Sequence, residues 1–414
     1  MSRRPFPAAL RRLAAAAALL LAIGPAEAAP DNFTSIERGR ALVTAGDCAA
    51  CHTTPGGRLM AGGVRLDTPF GPIMTPNITP DDETGLGQWS EADFRRAMQR
   101  GIRRDGAHLY PAFPYPNYTL VTRQDIADIY AYLRTVPPAR NVVDRGTLNF
   151  PFNMRVLMAG WNQLFFTPGE FQPAVGRSEV YNRGAYLVEG LGHCGTCHTP
   201  RNSFGADSGG RAFQGGNLLA WFAPDITGDP RIGIGGWSVQ EIVEYLKTGR
   251  NARSAASGPM AEVVTASTSR MSEADLTAIA TYLRERGAPG DAAAPAPVAA
   301  TDPRMRAGQA IYADNCGACH VGTGEGVERL FPRLAGNAVV QQGDPTTLLR
   351  IVIAGVQSAA TDASPTGPAM PSFGWRLSDR QVADVLTYIR NSWGNAAAPV
   401  SEDQAATMRA TAAR

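Results

Sequence analysis

The sequence predicts an all-α fold in which three small helical domains follow one another along the chain, behind an export signal. Three observations predict this fold. A cysteine pair followed directly by histidine occurs three times. A short helical stretch precedes each copy, and a helix with a shared signature follows it. A stretch dominated by Ala, Pro and Gly, residues 288–301, separates the third unit from the second.

Length and composition agree with several globular domains. The 414 residues exceed what one small core needs, and 44% hydrophobic and 18% charged residues are ordinary values for such domains. The formal charge of +2 is close to neutral, so the composition argues against a nucleic-acid partner.

The first element is an export signal, predicted over residues 1–28. Basic residues from Arg3 to Arg12 precede an apolar run over 13–23, and Ala26-Glu27-Ala28 supplies the small residues that a signal peptidase reads. The apolar run is far shorter than the ~20 residues that a transmembrane helix requires. We therefore expect cleavage near Ala28 and a periplasmic protein, with no later segment long and apolar enough to cross a bilayer.

The six cysteines form three C-x-x-C-H motifs. The motifs are Cys48 and Cys51 with His52, Cys194 and Cys197 with His198, and Cys316 and Cys319 with His320. Two thiols three residues apart lie on one helical turn, where both can form thioethers with one haem, and the adjacent histidine can bind its iron. A redox C-x-x-C does not need the histidine, and zinc needs four ligands from paired half-motifs, so three identical copies argue against both. The sequence therefore predicts three covalently bound haem c groups.

Each predicted unit begins and ends with a helix. The opening helices contain Gly39, Gly184 and Gly308, and the closing helices contain Tyr132, Tyr282 and Tyr388. A glycine in the first helix lets an aromatic side chain of the last helix approach its backbone closely, so we expect these helices to cross in every unit.

Capping residues mark the other helix starts. Ser238 with Glu241 forms a predicted capping box at the start of a middle helix. Ser272 and Ser378 are predicted caps of the second and third closing helices. The loops Asn77-Ile78-Thr79 and Asp225-Ile226-Thr227 resemble each other, so the first two units look like duplicates.

These signals set the predicted boundaries. They give a first domain over 31–138, a connector over 139–173, a second domain over 174–287, a linker over 288–301, a third domain over 302–396 and a flexible tail over 397–414. The connector is rich in Phe, Met and Trp. We expect these side chains to pack between the first two units rather than to form an exposed docking patch.

The second axial ligand of each iron is expected in the loop between the middle and closing helices. A methionine in that position raises the reduction potential of an electron-transfer haem. Met260 in the second unit and Met370 in the third occupy this loop beside proline residues and are the predicted ligands. Met271 competes with Met260, but it directly precedes the cap Ser272, and we expect it to be a packing residue.

The first unit has no methionine in the corresponding loop. His108 is the one histidine there, and its position in the loop makes it a candidate ligand of the first iron. Met74, from an earlier loop, is the competing candidate, and an open iron is the third possibility. Two histidine ligands would give the first haem a lower potential than a histidine and a methionine, which suits the entry end of an electron chain.

With these motifs, the sequence resembles the three-haem cytochrome c subunits of periplasmic alcohol, sugar and aldehyde dehydrogenase complexes. The resemblance covers essentially the whole mature chain. Its specific segments are Pro-Asn-Ile-Thr-Pro-Asp at 76–81, Leu-Tyr-Pro-Ala-Phe-Pro-Tyr at 109–115 and Ala-Gly-Trp-Asn at 159–162. In relatives the position of Phe113 is often a methionine that binds iron, and this sequence departs from that pattern.

The resemblance implies a division of labour with other proteins. A separate subunit would oxidise the substrate with a flavin, quinone or molybdenum cofactor, and this chain would pass the electrons to membrane quinone or to a terminal oxidase. Such subunits often associate peripherally with the membrane through a C-terminal amphipathic segment. Here residues 401–414 have almost no apolar face.

The predicted function is therefore electron transfer, with catalysis on the partner dehydrogenase. No Ser-His-Asp set, phosphate loop or paired-carboxylate motif is present in the sequence. One alternative is a haem peroxidase or reductase with an open iron at the first haem, which the missing methionine favours. The other is a free periplasmic electron shuttle.

Overall fold

The structure is a computed structural model that describes residues 32–144, 148–218, 220–287 and 294–412. The predicted signal segment, residues 1–28, lies outside these ranges. Helices dominate the described chain, as the sequence predicts, and the strands are short.

The helices follow the three predicted units. The first unit and the connector contain α1 (Asn32–Ala45), α2 (Cys48–His52), α3 (Glu91–Arg100), α4 (Tyr115–Tyr118), α5 (Arg123–Leu133) and α6 (Leu157–Phe165). The second unit contains α7 (Glu179–Ala185), a π-helix (Tyr186–Leu191), α8 (Gly195–His198), a 3₁₀ turn (Gly209–Arg211), α9 (Val239–Thr248), α10 (Pro259–Ala266), a 3₁₀ turn (Thr268–Arg270) and α11 (Glu273–Glu285). The third unit contains α12 (Pro303–Asn315), α13 (Gly317–His320), α14 (Thr346–Ala354), α15 (Asp379–Arg390) and α16 (Glu402–Ala412).

Each unit also contains a two-stranded antiparallel ribbon that the sequence analysis does not predict. The ribbons are β1 (Arg65–Leu66) with β2 (Ile73–Met74), β3 (Gln214–Leu218) with β4 (Trp221–Asp225), and β5 (Val356–Gln357) with β6 (Ala369–Met370). In the longest ribbon, Gly216 pairs with Ala223.

The opening and closing helices cross at a glycine in each unit. Helix α1 packs on α5, α7 on α11 and α12 on α15. A Cβ atom on Gly39 would lie only 1.9 Å from the carbonyl oxygen of Asp128 and 2.9 Å from Cβ of Tyr132. The same contact recurs between Gly184 and Tyr282 and between Gly308 and Tyr388. The predicted approach of an aromatic side chain to a helical glycine is confirmed in all three units.

The predicted helix caps are present. Ser238 and Glu241 form a reciprocal capping box at the start of α9, and Ser272 caps α11. Ser378 caps α15 and also forms a capping box with its third residue. Ser90 does the same for α3 in the first unit. Because each box satisfies otherwise unpaired N–H groups, these serines fix where the helices start.

The first two units share one hydrophobic core. Buried side chains of α1 and α5, such as Leu42 and Ile129, belong to the same cluster as Leu187 and Leu276 of the second unit. A polar contact crosses the same boundary, where the Tyr186 hydroxyl donates to the carboxylate of Asp125 at 2.5 Å. The two units therefore form one body.

The third unit has a separate core around Val382 and Leu386 of α15. It contacts the second unit through the β3–β4 ribbon, where the Thr347 hydroxyl and the backbone of Phe222 exchange two hydrogen bonds of 2.9 Å. The described part of the linker, 294–301, forms no helix or strand, and Val298 N–H donates to Asn391 at 3.0 Å.

The connector does not pack as expected. Phe150 and Leu164 are 78% and 75% exposed, and Phe152, Met154 and Leu157 are exposed as well. Contacts between α4 and the π-helix already close the gap between the first two units, so the connector lies outside it. The prediction that its aromatic and methionine side chains fill this interface is wrong for Phe150, Phe152 and Met154, whereas Met158 is buried and Phe171 packs on Tyr186 of the second unit.

The prediction of a flexible tail over 397–414 is also corrected, because most of its described part is a packed helix. Helix α16 packs against α14 and α15 and buries Ala405 and Met408, three residues apart on one face. Arg409 donates to Asp379 at 2.7 Å and to the carbonyl of Leu377 at 2.8 Å. Small side chains suffice for this contact because they let the helices approach closely.

No helix in the described ranges combines the length and the apolar character that a membrane span needs.

Candidate functional site

The three cysteine pairs lie at or inside short helices that follow the opening helix of each unit. Cys48 and Cys51 belong to α2, and the other pairs begin at the residues just before α8 and α13. Cysteines at positions i and i+3 of one turn share a face, as attachment to one planar ring requires. None of the six forms a disulfide.

Burial disfavours the thiolate form of Cys48, Cys51, Cys194 and Cys316. It raises the pKa of Cys48 and of Cys194 to about 12, and that of Cys51 and of Cys316 to about 11. A redox-active or metal-binding cysteine needs a stabilised thiolate, hence a lowered pKa. The environment therefore disfavours the thioredoxin-type and zinc alternatives.

The histidine of each motif is held by a backbone carbonyl of a proline. The distances from Nδ1 to the carbonyl oxygen are 2.8 Å for His52 and Pro76, 2.7 Å for His198 and Pro224, and 3.0 Å for His320 and Pro332. A carbonyl oxygen only accepts, so Nδ1 carries the proton and Nε2 keeps its lone pair. This hydrogen bond is the second partner that metal-binding histidines typically have.

Burial lowers the pKa of all three imidazoles, against the opposing effect of the proline hydrogen bonds. Each ring is therefore neutral at pH 7 and available as a ligand. Two thiols on one helical turn and a neutral imidazole with a fixed tautomer match the requirements of covalently attached haem with one histidine ligand. The residues of each site fit the group.

The loops that carry these prolines are held by the duplicated motif seen in the sequence. The side-chain oxygen of Asn77 accepts a hydrogen bond from the backbone N–H of Thr79 at 2.9 Å. The carboxylate of Asp225 accepts one from the backbone N–H of Thr227 at 2.6 Å. Each side chain thereby fixes the loop just after the proline. The Pro repeated before Asn77 and before Asp225 is the sequence signal for these carbonyls, which the predictions above do not include.

The signature arginine at the end of the closing helix holds the loop that precedes the middle helix in the first two units. Arg134 donates to the carbonyl of Gly87 at 2.7 Å. Arg284 donates to the carbonyl of Gly235, the equivalent residue of the second unit. In the first two units, the closing helix is thus tied to the loop that leads to the middle helix.

The predicted methionine ligands lie at the edges of their cores. Met260 is in the first turn of α10 and packs on the core shared by the first two units. Met370 is the last residue of β6 and packs on the core of the third unit. Met271 is buried and directly precedes the cap of α11, as expected for a packing residue.

The candidate ligands of the first unit occupy different places. The Nδ1 atom of His108 lies 3.4 Å from the amide nitrogen of Asn162 in α6, and its carbonyl accepts from Arg155 at 2.8 Å. Met74 lies in β2, paired with Arg65. Phe113 packs edge-on against Tyr118, with ring centroids 5.3 Å apart, in the shared core.

Asp47 and His193 each directly precede a cysteine pair, and the sequence-based predictions give neither of them a role. His193, next to Cys194, points Nε2 at the carbonyl of Gly46 at 3.3 Å and stacks edge-on against Tyr118. Asp47, next to Cys48, has a left-handed backbone and a buried Oδ1 atom without a hydrogen-bond partner among the described residues. Burial, followed by the charge of Glu262, raises the pKa of Asp47 to about 7. Both residues adjoin a C-x-x-C-H motif, which is the signal that could have identified them.

A groove of about 290 Å³ lies beside the second motif. Trp161 and Phe165 of the connector helix form one wall, and Thr196, between Cys194 and Cys197, contributes to the other. The groove therefore reaches the helical turn between Cys194 and Cys197 from the side on which the connector lies.

Comparison with protein families matches the family described as Cytochrome c over residues 36–137 and 305–393. The matched segments contain the first and the third C-x-x-C-H motifs.

Individual relatives extend the similarity to the whole chain. The cytochrome c subunit of gluconate 2-dehydrogenase from Pantoea cypripedii is 40% identical over 401 residues, 91% of this chain and 90% of that protein. The cytochrome c subunit of alcohol dehydrogenase (quinone) from Gluconobacter oxydans is 38% identical over 97% of this chain and 88% of its own. One of the nicotinate dehydrogenase subunits from Pseudomonas putida is 44% identical over 86% of this chain, but the match spans only 30% of that longer protein.

Proposed function

Because the chain belongs to the cytochrome c family, among the cytochrome c subunits of dehydrogenases, we propose that it binds three haem c groups and transfers electrons from a partner dehydrogenase subunit. One observation carries the proposal. The arrangement of two cysteine thiols on one helical turn and a histidine, with Nδ1 bound to a proline carbonyl, occurs three times in one chain.

Each group of residues has a distinct task. The cysteine pairs at 48 and 51, 194 and 197, and 316 and 319 form the covalent bonds that fix the ring. His52, His198 and His320 bind iron through Nε2, and the proline carbonyls hold the rings in that orientation. When bound, haem c supplies a one-electron redox centre.

The three sites divide the chain into three domains. We assign residues 31–138, 174–287 and 302–412 to them, the last one extended by α16. The contact between Gly39, Gly184 or Gly308 and an aromatic side chain supports this division, since each domain contains one such crossing.

We assign the sixth iron position to Met260 in the second domain and to Met370 in the third. The test is the weak absorption band that iron–thioether ligation gives in the oxidised spectrum. Met260→Ala and Met370→Ala should each remove about half of this band, because each removes one of two methionine ligands. The buried Met271→Ala is the matched control and should retain all of it. Loss in the control, or an intact band in either ligand variant, contradicts the assignment.

The sixth position of the first domain is assigned to His108, with Met74 as the competing ligand. The contact with Asn162 is made by Nδ1 of His108, so Nε2 is the ring nitrogen that would bind iron. Low-temperature EPR of the protein and of His108→Ala tests the assignment. A changed signal of the first haem supports His108, and an unchanged signal rules it out.

The partner is proposed to be a dehydrogenase subunit of the flavin, quinone or molybdenum type, located with this chain in the periplasm. The acceptor is proposed to be membrane quinone or a terminal oxidase. Purification of the native complex from the membrane fraction tests the partnership. A co-purifying dehydrogenase whose substrate reduces the bound haem supports it, and a cytochrome that purifies alone favours the free shuttle.

An enzyme with an open iron at the first haem is the second candidate function. It is favoured by Phe113, a residue that cannot bind iron and occupies the position of a ligand in similar proteins. Carbon monoxide added to the reduced protein distinguishes the two. An unshifted Soret band means that all irons have six ligands and eliminates the enzyme, whereas a shifted band confirms an open site.

A further inference from the structure

One segment of the surface is rich in exposed apolar side chains, among which lie the exposed amides of Asn149, Asn153 and Gln163. The connector patch consists of Phe150, Phe152, Met154, Val156, Leu157, Trp161, Leu164, Phe165 and Phe204. Phe150, Val156 and Leu164 are each at least 70% exposed. Between Leu148 and Gly169 the only charged residue is Arg155. Soluble surfaces rarely expose so many apolar side chains together unless they contact a partner or a membrane.

Helix α6 presents its part of the patch as one face. Leu157, Trp161 and Leu164 are spaced at i, i+4 and i+7, so they lie on the same side of the helix. The ring of Phe165 lies 5.8 Å from that of Phe204, which is 66% exposed on the second domain. The indole N–H of Trp161 donates to the carbonyl of Phe204 at 3.0 Å. The apolar surface thus continues from the connector onto the second domain.

The backbone of the segment before α6 already makes its hydrogen bonds internally. The N–H groups of Phe152, Met154 and Leu157 donate to the carbonyls three residues earlier, at 2.7 Å, 3.0 Å and 3.0 Å. The one charge is held on the protein, since Arg155 lies over the Tyr110 ring at 4.4 Å and donates to the carbonyl of His108. The groups named here already have partners on the protein, which lowers the cost of moving them out of water into a less polar environment.

We propose that the connector patch is a membrane-contact surface that inserts into the interfacial region of a lipid bilayer. A protein partner would use about one hydrogen bond per 100–200 Å² and charges that complement its own. The connector patch offers little of either and many apolar side chains, which matches the boundary between headgroups and acyl chains. The C-terminal helix does not compete for this role, since Ala405 and Met408 are buried against the third domain.

The inference goes beyond electron transfer and does not depend on it. It is tested on the full, haem-loaded protein by co-sedimentation with vesicles of phosphatidylcholine, alone or mixed with phosphatidylglycerol. The protein should bind both kinds of vesicle with similar affinity, and high salt should not release it, because the contact is apolar. No vesicle binding, or binding that requires the anionic lipid and is lost in high salt, overturns the proposal.

Two variants locate the contact. Leu164→Glu and Phe150→Glu should each weaken vesicle binding about tenfold or more, because a charge replaces an inserted apolar side chain. Both side chains are mostly exposed, so the variants should keep the haem spectrum and the melting temperature. The control is Trp375→Glu, which places the same charge at an 80% exposed apolar residue of the third domain and should bind as the unchanged protein does.

Two outcomes oppose this location. Equal weakening by Trp375→Glu shows a nonspecific effect of charge and overturns the proposal. Unchanged vesicle binding in the patch variants, together with loss of the co-purifying dehydrogenase, shows that the surface contacts a protein and overturns it as well.

Discussion

Single residues decide whether buried polar groups are satisfied, and the signature arginines show this most clearly. Arg134 is exposed and donates to the Gly87 carbonyl. Arg390, its counterpart in the third domain, is fully buried. It donates to the carbonyls of Val340, Gln342 and Ala398 at 3.2 Å, 2.8 Å and 3.0 Å. The same sequence signature thus performs two different structural tasks.

Arg390→Ala should lower the free energy of unfolding by about 3 kcal/mol or more, because it leaves three buried carbonyls without a donor. Arg134→Ala, the matched control, should lower it by less than about 1 kcal/mol, since water can replace the lost donor. Urea denaturation measures both. If both variants lost the same free energy of unfolding, the burial of the three Arg390 hydrogen bonds would contribute nothing to stability.

Asp47 gives a pH-dependent prediction. Its pKa is raised from the usual value near 4 to about 7, chiefly by burial. Below pH 4 the carboxyl is protonated in both the folded and the unfolded state, so its ionisation does not reduce the stability of the fold. As the pH rises to 7, the unfolded state ionises first and the folded state becomes relatively less stable.

Asp47→Asn removes this penalty and retains a side chain that tolerates the left-handed backbone. The variant should gain up to about 4 kcal/mol of stability over the unchanged protein between pH 4 and pH 8. The measurement is the difference in unfolding free energy at each pH. A difference that stays constant over this range would show that Asp47 does not titrate as described.

At the scale of elements, the helix crossings are the most predictable part of the fold. A glycine in the opening helix and a tyrosine in the closing helix indicate that the two helices cross closely. Gly39 and Tyr132 could therefore be paired from the sequence. The proline carbonyls that hold the histidines are harder to assign, because a main-chain acceptor requires no particular side chain, and the Pro repeated before Asn77 and before Asp225 is their one trace in the sequence. The ribbon at 214–218 contains two glycines and no alternation of apolar residues, so nothing in it indicates a strand.

Gly308→Ala tests the crossing in the third domain. A Cβ atom there would lie 2.2 Å from the Asp384 carbonyl oxygen, so the helices must separate, and we expect a loss of about 2–3 kcal/mol. Gly160→Ala in α6 is the control. Its Cβ would meet nothing within 4 Å, and the change should stabilise the helix by about 0.5–1 kcal/mol. Chemical denaturation measures both, and a neutral Gly308→Ala would contradict the crossing.

At the scale of the whole molecule, the division of the hydrophobic core determines how the chain unfolds. The first two domains share one core, and the third has its own. The sequence indicated that the first two units are duplicates, but it could not show that they are fused. Nor could it show whether the connector's aromatic run is covered or exposed, because the same residues suit both situations.

Calorimetry of the haem-loaded protein should therefore show two transitions rather than three. Gly39→Ala and Gly184→Ala should lower the same transition, and Gly308→Ala should lower the other one. Separate shifts for Gly39→Ala and Gly184→Ala would mean that the first two domains unfold independently.

The central claim is that each C-x-x-C-H motif binds one haem covalently. The most direct measurement is a pyridine haemochrome count on correctly matured protein, with each cysteine pair replaced by alanine in turn. We predict three haem groups per chain for the unchanged protein and two for each of the three variants. Fewer than three in the unchanged protein, or three in any variant, would contradict the account.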